Sequence, residues 1–158
     1  MYADLPPEAS NDGERVAGQF LVQCRQPGFS LAQARSGGFL VGYAAGLPLR
    51  PSTSWWRNVT TSLPDQVTDE HRGRTFALVE LAVRASWRRQ GIGRSLHDLL
   101  LAARSEERAT VVVPSGAAAA QAAFRSWGWH KIARTRDPGS GLPASDVLIT
   151  ALGGTRGG

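Results

Sequence analysis

The order of hydrophobic and polar residues changes character near the middle of the chain. Residues 75–83 form an almost continuous run of β-branched, aromatic and aliphatic side chains, which predicts a buried strand. From Ile92 onward the apolar residues recur every three or four positions, which predicts a helix over residues 92–105. The segment between them is rich in arginine and contains Gly91 and Gly93, so the sequence predicts a strand, a glycine-containing turn and a helix in succession.

The same patterns predict the elements on either side of this centre. They are a helix at 11–26, strands at 31–35 and 39–45 around a hairpin turn, a strand at 110–113, a helix at 117–127, and strands at 129–134 and 147–152. A long connection at 47–74 contains the pair Trp55-Trp56, which we expect to cover the sheet, with a substrate platform as the alternative. We expect residues 1–152 to form a single domain and residues 153–158 a flexible tail.

Size, charge and cysteine content exclude several classes of protein. No apolar run approaches the ~18 residues of a membrane span, and the first residues lack the pattern of a signal peptide. The one cysteine, Cys24, cannot form an internal disulfide, which favours the reducing cytoplasm, and we expect it in the core. The Ala-, Arg- and Gly-rich composition is typical of a bacterium with high-GC DNA. The three histidines lack metal-ligand spacing, so no metal site is predicted, and His97 is expected on the outer helix face.

A net charge of +5 and a pI of about 10.6 raise the possibility of nucleic-acid binding. However, the arginines concentrate around the turn after residue 83, acids and bases alternate elsewhere, and no nucleic-acid-binding motif is present. We therefore expect no nucleic-acid partner.

The arginine-rich turn predicts a site for a polyanion. The first N–H groups of a helix have no partner inside it and carry partial positive charge. Gly91 and Gly93 lack Cβ atoms, so a phosphate can approach those N–H groups closely. The alternative is that both glycines only shape a tight turn between strand and helix.

The spacing of the glycines distinguishes between phosphate-binding motifs. No P-loop pattern occurs in the sequence, and the third glycine of a dinucleotide fingerprint is replaced by Leu96. What remains is Arg-x-x-Gly-x-Gly at Arg88, Gly91 and Gly93, after a strand that ends Glu-Leu-Ala-Val. This combination resembles the pyrophosphate-binding motif of the GNAT superfamily, the acyl-CoA-dependent N-acetyltransferases.

The resemblance covers roughly residues 14–152 and implies an α/β fold, with a central mixed, mostly antiparallel sheet flanked by helices. The family normally begins with a strand, whereas this chain opens almost directly into its first helix. Either the strand is absent or Met1 is an internal start. Because a missing edge strand exposes unpaired backbone, a partner chain, as in a homodimer, is one hypothesis for this edge.

The resemblance also implies the cofactor site, with acetyl-CoA as cosubstrate and no metal. Backbone groups of Leu81, Ala82 and Val83 are expected to meet the pantetheine arm, and the side chain of Phe124 to pack against CoA. The pyrophosphate is expected on the segment Arg88, Arg89, Gln90, Gly91, Ile92, Gly93, Arg94 and Ser95, through N–H groups and arginine charge.

Glu80 is the expected general base, because several family members place a carboxylate at this end of the central strand. The alternative is that Glu80 pairs with Arg84 or a neighbouring strand. The late-helix motif of the family departs here: its tyrosine position holds Phe124 and its asparagine position Ala117. Since Phe124 cannot give a proton, the thiolate must take one from water or the product ammonium.

The sequence thus predicts acetyl transfer from acetyl-CoA to a primary amine of a small molecule or peptide. A non-catalytic CoA-binding or regulatory module is the alternative, favoured by Phe124 and Ala117. A basic nucleic-acid-binding protein is a third class, which predicts a DNA affinity that falls steeply with salt.

Overall fold

The computed structural model describes residues 22–153. Its strands are β1 (Ser30–Ser36), β2 (Phe39–Pro48), β3 (Thr75–Val83), β4 (Arg108–Pro114), β5 (His130–Thr135) and β6 (Ser145–Ala151). Its helices are α1 (Asp65–Thr68), a 3-10 turn (Ala85–Trp87), α2 (Ile92–Ala102) and α3 (Ala118–Ser126). Every strand predicted within this range is therefore present, and β3 has the predicted bounds.

The strands form one sheet in the order β1-β2-β3-β4-β6-β5. The pairs β1/β2, β4/β6 and β5/β6 are antiparallel, and β1/β2 shifts register between Ala34 and Arg35. The prediction of a mixed, mostly antiparallel sheet with flanking helices is confirmed. The question of an additional first strand concerns residues before Val22, which lie outside the described part, as does most of the helix predicted at 11–26.

The chain divides into two compact units. We call residues 22–47 and Leu78–Ala103 the hairpin unit; it contains β1, β2, most of β3 and α2. We call Pro48–Ala77 and residues 104–153 the C-terminal unit; it contains α1, β4, α3, β5 and β6. The expectation of a single domain over residues 1–152 stays a prediction, and the predicted tail lies outside the described residues apart from Gly153.

The long connection at 47–74 is ordered by pairing rather than by regular structure of its own. It contains only the four-residue helix α1. Val59 forms an isolated antiparallel bridge with Thr135, and the N–H of Thr60 donates to the carbonyl oxygen of Arg134 at 2.8 Å. These bonds satisfy backbone groups that the loop cannot pair locally.

The tryptophans of this connection contribute to packing. Both Trp55 and Trp56 are half-buried. The indole N–H of Trp56 donates to Glu70 at 3.1 Å, and the Arg108 guanidinium lies 5.6 Å from the centre of its ring. For Trp56 these contacts favour a covering role over a substrate platform.

Helix α2 differs from the prediction at two points. It ends at Ala102 rather than 105, and the side chain of Arg104, just beyond its end, pairs with Glu106. His97 is buried with 6% exposure, so its placement on the outer face was wrong. Its Nδ1 lies 2.8 Å from an oxygen of Asp98, a bond that lets a polar ring lie on the buried face of the helix. In residues 22–153, no helix combines the length and hydrophobicity needed to cross a membrane.

Candidate active site

The turn between β3 and α2 has a backbone that depends on glycine. After the 3-10 turn at Ala85–Trp87 the chain passes through Arg89, with φ of 61°, and Gly91, with φ of 80°. Gly91 is the N-cap of α2 in the left-handed conformation, and no side chain caps the helix. Because side chains with a Cβ disfavour this conformation, Gly91 is the residue that allows the sharp entry into α2.

The first amides of α2 have no hydrogen-bond acceptor within the helix. The N–H of Ser95 donates to the carbonyl oxygen of Gly91 at 3.0 Å, which is the first bond of the helix. The N–H groups of Ile92, Gly93 and Arg94 precede that bond, so helix geometry gives them no acceptor inside α2. Ser95 was predicted to contribute its N–H as well, but that group is used by the helix.

The arginines around the turn have different roles. Arg84 donates from Nε to the carbonyl oxygen of Leu40 at 2.7 Å, and Arg88 from Nε to that of Val83 at 3.1 Å. These bonds fix the two guanidinium groups against the strands. Arg89 is exposed, and Arg94 is 61% exposed with its Nε 3.7 Å from Asp98. The turn therefore combines arginines anchored to the strands with arginines exposed to solvent.

A pocket of about 200 Å³ lies between β1 and α2, next to the turn. It is lined by Gln33, Ala34, Gln90, Gly91, Ile92, Ser95, Leu96 and Leu99. Four of these belong to the predicted pyrophosphate segment. No sequence pattern indicated that β1 would contribute Gln33 and Ala34, because their position depends on the fold of the sheet.

The end of β3 carries the other predicted residues of the hairpin unit. Leu81, Ala82 and Val83 are buried, with exposures of 0%, 1% and 1%. Glu80 is half-buried, and this burial raises the pKa of its carboxyl group above the usual 4.5. A carboxylate whose proton affinity is raised is better suited to accept a proton near neutral pH.

Phe124 belongs to the C-terminal unit. Its side chain is fully buried, and its ring packs edge-on against Trp127 and Trp129, with centroids 5.2 and 5.3 Å away. The structure thus brings Glu80, residues 81–83 and the turn together in the hairpin unit, while Phe124 is part of the aromatic core of the other unit.

Residues 2–129 match the family model described as the acetyltransferase (GNAT) family. This is most of the 158-residue chain. The chain belongs to the GNAT acetyltransferase family.

Solved structures give the same fold. An acetyltransferase from Thermus thermophilus superposes with a TM-score of 0.63 at 19% identity, covering 94% of this chain and 77% of that one. A ribosomal-protein-alanine N-acetyltransferase from Brucella melitensis gives 0.61 at 23%, covering 87% and 78%. A GNAT acetyltransferase from Elizabethkingia anophelis with acetyl-CoA bound gives 0.60 at 14%, covering 96% and 95%. No curated protein matches the sequence significantly.

One residue near Glu80, Tyr43, had no predicted role. Tyr43 lies on β2, the strand next to β3, and is half-buried. Burial and, to a lesser extent, the negative charge of Glu80 raise the pKa of its phenol from 10.0 to about 12. A tyrosine after Gly42 in an apolar strand gave no functional signal, because its proximity to Glu80 depends on the pairing of two strands 37 positions apart. Among residues 22–153, no group of His, Cys, Asp and Glu could hold a metal ion.

Proposed function

We propose that this GNAT protein transfers an acetyl group from acetyl-CoA to a primary amine of a small molecule or peptide. The observation that carries the proposal is the turn at the start of α2, where Gly91 opens the helix and three N–H groups precede its first hydrogen bond. Oriented amides with adjacent arginines are the features that a diphosphate needs. The Elizabethkingia relative with acetyl-CoA bound supports this choice of cosubstrate.

The residues of the turn have different roles in binding acetyl-CoA. In our proposal the amides of Ile92, Gly93 and Arg94 face the pyrophosphate, with Arg89, Gln90 and Gly91 forming the loop around it. Arg88 holds the loop through its bond to the Val83 carbonyl oxygen. The backbone of Leu81, Ala82 and Val83 binds the pantetheine arm. When bound, acetyl-CoA supplies a thioester carbonyl and a thiolate leaving group.

Glu80 is the proposed base. An amine attacks only in its neutral form, so a proton must leave the acceptor ammonium first. The raised pKa of Glu80 matches this task. A strand N–H near Ala82 or Val83 would stabilise the oxyanion that develops on the carbonyl oxygen. The departing thiolate, with a usual pKa of about 8.5, takes its proton from water or from the protonated nitrogen of the tetrahedral adduct, since Phe124 has none to give.

The proposal specifies the acceptor as a class of compound, a primary amine of a small molecule or peptide. Two structural neighbours are a ribosomal-protein-alanine N-acetyltransferase from Brucella melitensis and a ribosomal-protein-S18-alanine N-acetyltransferase from Escherichia coli, which keeps peptide N-termini among the candidates. Small-molecule amines are equally compatible with a half-buried carboxylate at the site.

A thermal-shift titration with acetyl-CoA tests the cofactor site. A ligand that binds only the folded state at 100 times its dissociation constant stabilises by about 2.7 kcal/mol, so the melting temperature should rise with ligand concentration. Gly91→Glu places a carboxylate at the pyrophosphate position and should abolish this rise. Gly139→Glu is the matched control, because Gly139 has the same φ of 80° and no atoms within 4 Å of an added Cβ.

Both variants introduce the same backbone strain, so only the loss of the ligand effect distinguishes them. An unchanged rise in Gly91→Glu would rule out the placement of the pyrophosphate.

A second candidate function, a non-catalytic CoA-binding module, is favoured by the phenylalanine at position 124. Thermal stabilisation by acetyl-CoA without thiol release across a panel of amines would select that module.

A further inference from the structure

The chain contains two tyrosines, Tyr2 and Tyr43. Tyr2 lies outside the described residues, and the position at which the family often has a tyrosine is the buried Phe124. Tyr43 is therefore the phenolic hydroxyl that residues 22–153 can offer to acetyl transfer. This makes its position relative to β3 informative.

The backbone around Tyr43 lies against the end of β3. A Cβ added to Gly42, its neighbour, would be 2.9 Å from the carbonyl oxygen of Ala82. The N–H of Arg84 donates to the carbonyl oxygen of Val41 at 2.8 Å. These two contacts hold β2 against the end of β3. Tyr43, on β2, therefore flanks the segment proposed to meet the reacting end of acetyl-CoA.

The electrostatic surroundings keep the hydroxyl protonated. Burial is the larger cause, and the negative charge of the Glu80 carboxylate the smaller one, of the rise in the pKa of Tyr43 to about 12. A phenol with this pKa is too weak an acid to give its proton to a thiolate with a pKa of about 8.5. It remains a neutral hydrogen-bond donor at neutral pH.

We propose that Tyr43 is a further residue of the acetyl-transfer site, where its hydroxyl donates a hydrogen bond to the negative charge that develops on the thioester. The assignment rests on the proposed function. No proton leaves Tyr43: the hydroxyl stabilises charge beside Glu80, which takes the proton of the acceptor amine. The hydroxyl thus contributes part of what Phe124 lacks.

A protein with one tyrosine tests this placement without knowledge of the acceptor. In Tyr2→Phe, labelling with tyrosine carrying ¹³C at the ring carbon bonded to oxygen gives one signal, from Tyr43. We expect saturation with acetyl-CoA at neutral pH to move this signal. The matched control carries Tyr2→Phe, Tyr43→Phe and Phe39→Tyr, because Phe39 is on the same strand and 77% exposed; its signal should stay in place.

Two failures are distinguishable. If acetyl-CoA does not raise the melting temperature of Tyr2→Phe, the proposed function fails. If the melting temperature rises and the Tyr43 signal does not move, the assignment of Tyr43 is overturned and the function stands. If the signal of the matched control moved as well as that of Tyr43, the assignment of Tyr43 would also be overturned, because the effect would not be specific to this residue.

Tyr43→Phe supplies the catalytic test, since it keeps the ring and removes only the hydroxyl. Loss of one neutral hydrogen bond to developing charge lowers kcat by about tenfold. The thermal shift by acetyl-CoA and its KM should be unchanged. An unchanged kcat for thiol release with an accepted amine would contradict the role.

Discussion

The guanidinium of Arg108 and the carboxylate of Glu70 form a buried ion pair, with Nη2 2.9 Å from Oε1 and side-chain exposures of 13% and 1%. The same carboxylate oxygen accepts hydrogen bonds from Thr75 at 2.9 Å and from the indole of Trp56 at 3.1 Å. The pair therefore joins the long connection to the first residues of β3 and β4 within the C-terminal unit.

Removing the charge of Glu70 should destabilise the protein strongly. Glu70→Gln keeps the shape of the side chain but leaves the Arg108 charge buried without a counter-charge, which costs about 3 kcal/mol of unfolding free energy. Urea unfolding measures this. Asp137→Asn removes one negative charge from an exposed turn of the same unit and should change the free energy by less than about 0.5 kcal/mol. Equal effects of the two substitutions would show that the ion pair contributes nothing specific.

The close approach of β2 and β3 predicts a second effect. In Gly42→Ala the new methyl group would lie 2.9 Å from the Ala82 carbonyl oxygen and 3.1 Å from Leu96. The strands must separate to admit it, which we expect to lower the unfolding free energy by about 1–3 kcal/mol. Gly116→Ala is the matched control, since nothing lies within 4 Å of its added Cβ. The expectation fails if both variants melt at the temperature of the parent protein.

Local patterns were sufficient for much of the fold and for the turn. The apolar run at residues 75–83 gave β3 its correct bounds, because a strand buried at most of its positions leaves an almost continuous apolar signal. The helical spacing after Ile92 and the glycine at position 91 likewise located the start of α2. Each of these features depends on residues that are close together in the sequence.

What depends on contacts between distant residues was not predictable. His97 was expected on the surface because a polar ring fits the outer face of an amphipathic helix, and only the bond to Asp98 shows how it is accommodated inside. The long connection gained its order from Arg134 and Thr135, more than 70 positions away. The nearness of Tyr43 to Glu80 likewise arises from strand pairing.

Asp146 on β6 predicts a stability that depends on pH. Burial alone would raise the pKa of its carboxyl group, but hydrogen bonds from Ser115 and Lys131 and the charges of Lys131 and Arg134 outweigh burial, so the net pKa lies below 3.8. The Ser115 hydroxyl donates at 2.8 Å and Gln121 at 3.2 Å. These bonds favour the ionised carboxylate in the folded state.

A carboxyl group whose folded pKa is depressed contributes stability above its unfolded pKa and loses it as pH falls through the folded value. Asp146→Asn should therefore lower the unfolding free energy at pH 7 by about 1.5–3 kcal/mol, the range for hydrogen bonds to charged groups. The difference from the parent protein should shrink below pH 4. Urea titrations at several pH values measure it, and a difference independent of pH would assign the effect to shape rather than charge.

The raised pKa of Glu80 predicts the pH dependence of catalysis. As a base Glu80 works only when deprotonated, so kcat/KM for thiol release should fall on the acid side with a midpoint above 4.5. Glu80→Gln should remove this acid limb and lower the rate by about 100-fold or more. A variant that keeps both the limb and the rate would assign the base to another group.

The same carboxylate should reduce the stability of the folded protein, and this can be measured without any substrate. Because burial is the first cause of the raised pKa of Glu80, the folded state disfavours its charge. The stability of the parent protein relative to Glu80→Gln is thus greatest below the unfolded pKa and decreases as pH rises through the folded value. We expect Glu80→Gln to melt at a higher temperature than the parent at pH 7, with a gain that diminishes towards pH 4. Loss of stability in Glu80→Gln at pH 7 would instead show that the ionised carboxylate is held by favourable bonds, as a structural residue would be.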